Sequence, residues 1–156
     1  MIPEFDNLTS SEIELILKGP ILACILIAGA DGNIDNKEIK GSIELAKDKH
    51  KNAIGSHLDK FYLMVVEDFE DKLKMVLQSY PLDALKRNAM ITEELTALSQ
   101  LLTKLDINFA KEYYISIKDI ALGTAESSGG ILGIKSVGEE EARLVDLPMV
   151  RDPSKY

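Results

Sequence analysis

The feature that most constrains the fold is an uninterrupted apolar run of ten residues, Ile21 to Ala30. A membrane-spanning helix needs about 20 such residues, and Lys18, Gly19 and Pro20 interrupt any longer span on the N-terminal side. A helix that is apolar on every side is usually central in a bundle. The run therefore predicts a buried helix over about 20–30, with Pro20 in its first turn and Cys24 as a buried structural thiol.

Apolar residues elsewhere recur every three or four positions, which is the period of an α-helix. They predict a first helix that ends at Gly19-Pro20, a helix over about 36–49, apolar stripes over 58–80, a long helix over about 85–105 and a helix capped by Asp106. The residues expected to face inward in the last two helices are Leu85, Ala89, Leu95, Leu98, Leu102 and Leu105, and then Phe109, Ala110, Tyr113, Ile117, Ile120 and Ala121. The stripes over 58–80 fit either one helix or two helices broken near Glu67-Asp68. A last short helix is expected over about 136–147. Strands should be few or absent, because no apolar–polar alternation competes with this pattern.

Length and composition predict one globular domain. The chain has 156 residues, 46% of them hydrophobic, which suffices for a core without disulfides. The net charge of −8 argues against nucleic-acid binding, and the single cysteine excludes an intrachain disulfide and a cysteine-rich zinc site. The acidic N-terminus lacks the basic region of a secretory signal. We therefore expect one cytoplasmic, all-α domain, followed by a short polar tail over 148–156.

The most informative segment is an acidic connection between two predicted helices. Asp31, Asn33, Asp35 and Glu38 supply oxygen ligands within eight residues, and hard cations such as Ca²⁺ take oxygen ligands at this spacing. An EF-hand is excluded, because its sixth position would be Asn36 and its twelfth Ser42. Turn chemistry and a capping box between Asp35 and Glu38 also explain these residues without metal. Both interpretations stay open at this stage.

A second segment near the C-terminus resembles the first. Ile34 to Ile39 aligns with Val137 to Ala142, with an offset of 103 residues, or 101 if the capping boxes are aligned instead. In both places a small-residue helix end leads through a glycine turn into an acidic helix start. The pair indicates internal pseudo-symmetry that would bring two acidic loops together, or else a coincidence in a chain rich in Glu and Gly.

Residues Gly19 to Glu38, with the core Asp31-Gly32-Asn33-Ile34-Asp35, and the glycine loop over 125–133 resemble the TerB-like tellurite-resistance family. The resemblance covers a helical domain over residues 8–147 and implies a bundle of about seven helices with pseudo-twofold related halves. It also implies a non-enzymatic module that binds divalent cations through acidic residues. The implied metal ligands are Asp31 and Glu38 in the first motif and Glu126, Glu139 and Glu141 in the second. The spacing of oxygen ligands adds Asp35 to this candidate set. Ser127-Ser128 departs from the pattern, because an aspartate is expected before the glycine.

The leading functional hypothesis is a stress-resistance module that binds Ca²⁺, Mg²⁺ or Zn²⁺ and docks other proteins. The resemblance implies partners within a stress-resistance complex, including an integral membrane protein that would hold the chain at the inner membrane. Self-association is left open. The alternative is a helical interaction scaffold without metal, whose acidic loops only cap helices. A metal-dependent hydrolase is a third class, because an acidic cluster can also hold Mg²⁺.

Overall fold

The computed structural model describes residues 3–28, 36–50, 56–129 and 144–156, and these ranges contain helices and no strand. The six α-helices are α1 (Ser10–Ala28), α2 (Asn36–His50), α3 (Ser56–Val66), α4 (Phe69–Gln78), α5 (Ala84–Leu102) and α6 (Ile107–Gly129). Short 3₁₀ turns lie near the two ends of the chain, at Pro3–Phe5 and Pro153–Lys155. The all-α prediction is confirmed.

The predicted break at Gly19-Pro20 is wrong, because α1 continues through Pro20. Proline has no N–H for the carbonyl four residues earlier, which here belongs to Ile16. The Tyr113 hydroxyl of α6 donates to that carbonyl oxygen at 2.7 Å and replaces the missing amide. Gly19 makes the approach feasible, because a Cβ at this position would lie 1.9 Å from the Tyr113 hydroxyl oxygen. A tertiary contact therefore holds together a helix that local rules would end.

Helix α1 is the centre of the bundle, and every residue from Gly19 to Ala28 is buried. Helices α2, α3, α5 and α6 all pack against it. Helix α5 runs antiparallel to α1, since Lys18 of α1 pairs with Glu94 at 2.7 Å, whereas Glu12 pairs with Lys104, just after α5, at 2.7 Å. The all-round apolar character of this segment therefore places it in the core, as predicted.

An aromatic cluster fills the end of the bundle near the N-terminus. Phe5, Phe61, Phe109 and Tyr113 meet mostly edge to face, with ring centroids 5.4–6.4 Å apart. The inward residues predicted for α6 are all buried: Phe109, Ala110, Tyr113, Ile117, Ile120 and Ala121. In α5, by contrast, Leu85 is 83% exposed. The inward prediction for Leu85 and Ala89 is wrong, because no residue of 84–90 is fully buried and the bundle covers only the later turns of α5.

Side-chain caps define several helix ends. Asp106 accepts from the backbone amides of Asn108 and Phe109 at 3.0 and 3.1 Å, which confirms the predicted cap of α6. Asp83 caps α5 in the same way. Thr9 and Glu12 form a reciprocal capping box at the start of α1. Local sequence chemistry thus sets these three helix starts.

The apolar stripes over 58–80 form two helices rather than one. The break lies at Glu67-Asp68, where Asp68 adopts a left-handed backbone with φ 51°. The predicted total of about seven helices is not confirmed, since the described residues contain six. The pseudo-twofold relation is not confirmed either. The prediction depends on a helix over 136–147, and residues 136–143 of that range lie outside the described residues.

The last residues of the chain, expected to form a polar tail, contact the bundle. Val150 and Pro153 are buried, and the Arg151 amide donates to the Ser99 hydroxyl of α5 at 2.8 Å. Within the described ranges, no helix has both the length and the apolar content that crossing a membrane requires.

Candidate cation-binding end of the bundle

Helices α1 and α6 lie side by side and run in the same direction. Near their starts, Ile16 contacts Tyr113, and near their ends the Thr124 hydroxyl lies 3.5 Å from the Cys24 sulfur. With a rise of 1.5 Å per residue, α1 and α6 end about 6 and 8 Å beyond this contact. Packed helix axes are about 8–10 Å apart. The chain therefore enters both acidic segments from the same end of the bundle.

The structure describes none of the predicted ligand side chains. Asp31, Asp35, Glu139 and Glu141 lie outside the described residues. Glu38 lies in the first turn of α2, and Glu126 lies in the last turn of α6. The side chains of both also lie outside what is described. Over the ranges that are described, no group of three or more His, Cys, Asp or Glu residues could hold a metal ion.

The ends of α1 and α6 have a favourable electrostatic character for a cation. Each helix carries about half a negative charge at its C-terminus, from backbone carbonyls without a helical partner. Because the two helices are parallel, these partial charges add. Neither helix has a Lys or Arg in its last turn to offset them. The ends of these two helices therefore favour positive charge, whereas the N-terminus of α2, which follows the first acidic segment, carries the opposite partial charge.

Cys24 lies beneath this end but is not a candidate ligand. Its side chain is fully buried, and burial raises the pKa of the thiol to about 12. The Thr124 hydroxyl donates to the Ile120 carbonyl at 2.8 Å and adds a weak contact to the sulfur. Metal binding and nucleophilic chemistry need the thiolate, so Cys24 acts as a packing residue, as the sequence predicts.

Buried hydroxyl groups tie α3, α6 and α1 together. Tyr62 donates to the Ser116 hydroxyl at 2.7 Å, and Ser116 donates to the Tyr113 carbonyl at 2.8 Å. The Tyr113 hydroxyl in turn donates to Ile16. Burial raises the pKa of both tyrosines well above the usual range, so both stay neutral. Each of these three hydroxyls donates to an acceptor inside the core, so the hydrogen bonds stabilise the packing of the three helices.

Sequence reasoning missed the surface around α4. Phe69, Leu73 and Val76 form the buried stripe of α4, while its opposite face lines a groove of about 610 Å³ that reaches the α4–α5 connection. Leu82 in that connection is fully exposed. A second groove of about 410 Å³ lies between α4 and α1. The run Glu67-Asp68-Phe69-Glu70-Asp71 was the available signal in the sequence.

Comparison with known proteins leaves the resemblance to the TerB-like family as a prediction. No family model, no curated protein and no solved structure matches this chain.

Proposed function

We propose that this chain is a non-enzymatic module that binds a divalent cation at the shared end of α1 and α6 and docks other proteins of a stress-resistance complex. The ligands would come from Asp31, Asp35 and Glu38 in the first acidic segment. Glu126, Glu139 and Glu141 would contribute from the second.

One observation carries the proposal: the parallel packing of α1 and α6. The contact between Cys24 and Thr124 joins residues that are 100 positions apart, close to the ends of both helices. Two acidic segments far apart in sequence therefore start from neighbouring points. A cation bound between carboxylates offsets their mutual repulsion, and the negative ends of the two helices strengthen the attraction.

Thermal unfolding with and without cation tests the proposal. A cation that binds only the native state stabilises it by about 2.7 kcal/mol at a hundredfold excess over Kd. We expect Ca²⁺, Mg²⁺ or Zn²⁺ at millimolar concentration to raise the melting temperature of the wild type. The Asp31→Ala variant should lose most of this shift. Asp48→Ala is the matched control, because Asp48 is an exposed carboxylate on α2 and outside the predicted ligand set.

Glu38→Ala separates a ligand from a helix cap. As a cap residue only, Glu38 would contribute a fraction of the ~1 kcal/mol of a full cap, with or without cation. As a ligand, its loss should also reduce the cation-dependent shift. No shift in the wild type with any of the three cations would refute cation binding.

A protein-interaction scaffold without metal is the second candidate, and the exposed face of α4 favours it. In that case the acidic segments only cap helices, and cations leave the melting temperature unchanged. Partner binding would then persist in a chelator, whereas a cation-responsive module should bind its partner differently with and without cation.

A further inference from the structure

The outer face of α4 lines a mainly apolar groove, and no residue that the structure describes is packed over it. Leu77 and Tyr80 line its inner part, and Leu82 stands at its edge with its whole side chain in solvent. Leu85, the second residue of α5, is 83% exposed. Tyr80 itself is buried and Leu77 is partly buried, so Leu82 and Leu85 supply the apolar surface that solvent reaches. Exposed apolar side chains bordered by charged residues are typical of an interaction site.

The other end of the same face is strongly acidic. Glu67, Asp68, Glu70 and Asp71 are all exposed, and none of them forms an ion pair with a described residue. Glu70 and Asp71 line the apolar groove and also a smaller concavity of about 320 Å³ beside α2. The acidic end is therefore continuous with the apolar groove.

Few cations balance these four carboxylates. Lys74 lines the groove, and Lys40 of α2 lines the smaller concavity. Lys72 is turned away, because its ammonium group donates to the Met64 carbonyl in the last turn of α3. A partner that brings positive charge to Glu70 and Asp71 would thus meet net negative potential.

We infer that this groove, which we call the α4 groove, docks a basic amphipathic helix of a partner protein. The basic end of that helix lies over Glu70 and Asp71. Its apolar side chains contact Leu77, Tyr80 and Leu82. A helix in a groove places apolar residues at positions i, i+3, i+4 and i+7, and complementary charges fix its orientation and speed its association.

Charge favours a basic partner over a second copy of this chain. The whole chain carries a net charge of −8, so two copies that meet through this face would bring like charges together. The inference rests on the docking half of the proposed function. It does not depend on cation binding, so it is tested in the presence of a chelator.

The test uses the full-length chain and two labelled synthetic peptides. Both peptides are helical with leucines at i, i+3, i+4 and i+7. One has lysines in its first two turns, and the other has glutamates at the same places. We expect saturable binding of the basic peptide by fluorescence anisotropy, at least about tenfold tighter than the acidic one at low salt. Added salt should weaken it.

Two variants and two matched controls locate the binding. Glu70→Lys with Asp71→Lys, and separately Leu82→Ser, should each weaken binding of the basic peptide about tenfold. Glu44→Lys with Asp48→Lys makes the same change in net charge from exposed positions on α2. Leu45→Ser removes a leucine that is 65% exposed on α2. All these positions are exposed, so circular dichroism should show native helix content in every variant.

Several results would overturn the inference. They are equal affinity for the two peptides, no saturable binding at millimolar protein, or equal losses in the α4 and α2 variants. A wild type that sediments as a dimer, and becomes monomeric with Leu82→Ser, would assign the groove to a second copy instead. Absence of a cation-dependent melting shift in the wild type, with peptide binding intact in chelator, would refute cation binding and leave the inference about the α4 groove unaffected.

Discussion

Alanine at each of three helix-interior glycines should change the free energy of unfolding in opposite directions at Gly19 and at the other two. Gly19, Gly41 and Gly123 lie inside α1, α2 and α6. Glycine in a helix interior costs roughly 1 kcal/mol relative to alanine, so alanine ordinarily stabilises. A Cβ at Gly41 or Gly123 meets nothing within 4 Å. At Gly19 it would lie 1.9 Å from the Tyr113 hydroxyl oxygen and 3.0 Å from a methyl carbon of Leu98. We therefore expect Gly19→Ala to lower the free energy of unfolding and the other two substitutions to raise it.

The size of the effect follows from three contributions. Overpacking a core costs about 1–3 kcal/mol. If the Tyr113 hydroxyl is displaced, the Ile16 carbonyl has no donor, because Pro20 lacks an N–H, and a buried unsatisfied carbonyl costs about 1–3 kcal/mol. The gain in helix propensity offsets about 1 kcal/mol of this. Gly19→Ala should thus destabilise the protein by about 1–5 kcal/mol, whereas Gly41→Ala and Gly123→Ala should stabilise it by up to about 1 kcal/mol.

Urea unfolding followed by far-ultraviolet circular dichroism measures these free energies. Tyr113→Phe removes the hydroxyl that a Cβ at position 19 would meet, so it should reduce the cost of Gly19→Ala in a double-mutant cycle. Pro20→Ala supplies a backbone amide for the Ile16 carbonyl. On that background Tyr113→Phe should cost less than in the wild type.

Two results would refute this explanation of the continuous α1. One is a Gly19→Ala variant as stable as Gly41→Ala. The other is a Tyr113→Phe substitution whose cost does not depend on the residue at position 20.

Three further predictions follow from caps, burial and charge. Asp83→Ala should destabilise by about 1 kcal/mol in urea unfolding, because Asp83 accepts from the Leu85 amide at 2.9 Å as the cap of α5; an unchanged midpoint would contradict the cap. Cys24 should resist a disulfide reagent at mildly alkaline pH and react only in denaturant, because burial raises the pKa of its thiol to about 12; rapid native reaction would contradict this. The Lys104 ammonium lowers the pKa of the Glu12 carboxyl. Their interaction therefore stabilises the native state at pH values above the ordinary glutamate pKa of about 4.3, and this stabilisation is lost as the pH falls through the lowered pKa of the folded state. An NMR titration should show the pKa of Glu12 rising in Lys104→Met, and an unchanged pKa would exclude this pair.

The sequence by itself determined most of the secondary structure, because the signals are local. Apolar residues at helical spacing predicted α2 over 36–49, and the structure has it at Asn36–His50. The cap at Asp106 and the buried stripe of α6 also follow from neighbouring residues alone. The sequence did not decide whether the chain breaks at Asp68, because one helix or two would bury the same apolar stripe. The left-handed backbone of Asp68 separates α3 from α4.

The tertiary structure decided whether α1 ends at Pro20. The residue that satisfies Ile16 is Tyr113, 97 positions away, so no local pattern could reveal it. Likewise, periodicity predicted Leu85 as inward although it is exposed. Only the arrangement of the other helices determines how much of α5 is covered.

The same distinction applies to the candidate sites. Residue types and spacing predicted Asp31, Asp35 and Glu38 as candidate ligands, and the sequence contains the acidic run that borders the α4 groove. Tertiary packing decided that α1 and α6 run parallel and end together, through the contact of Cys24 with Thr124. Which helix ends meet depends on how the apolar faces pack, and that packing involves residues about a hundred positions apart.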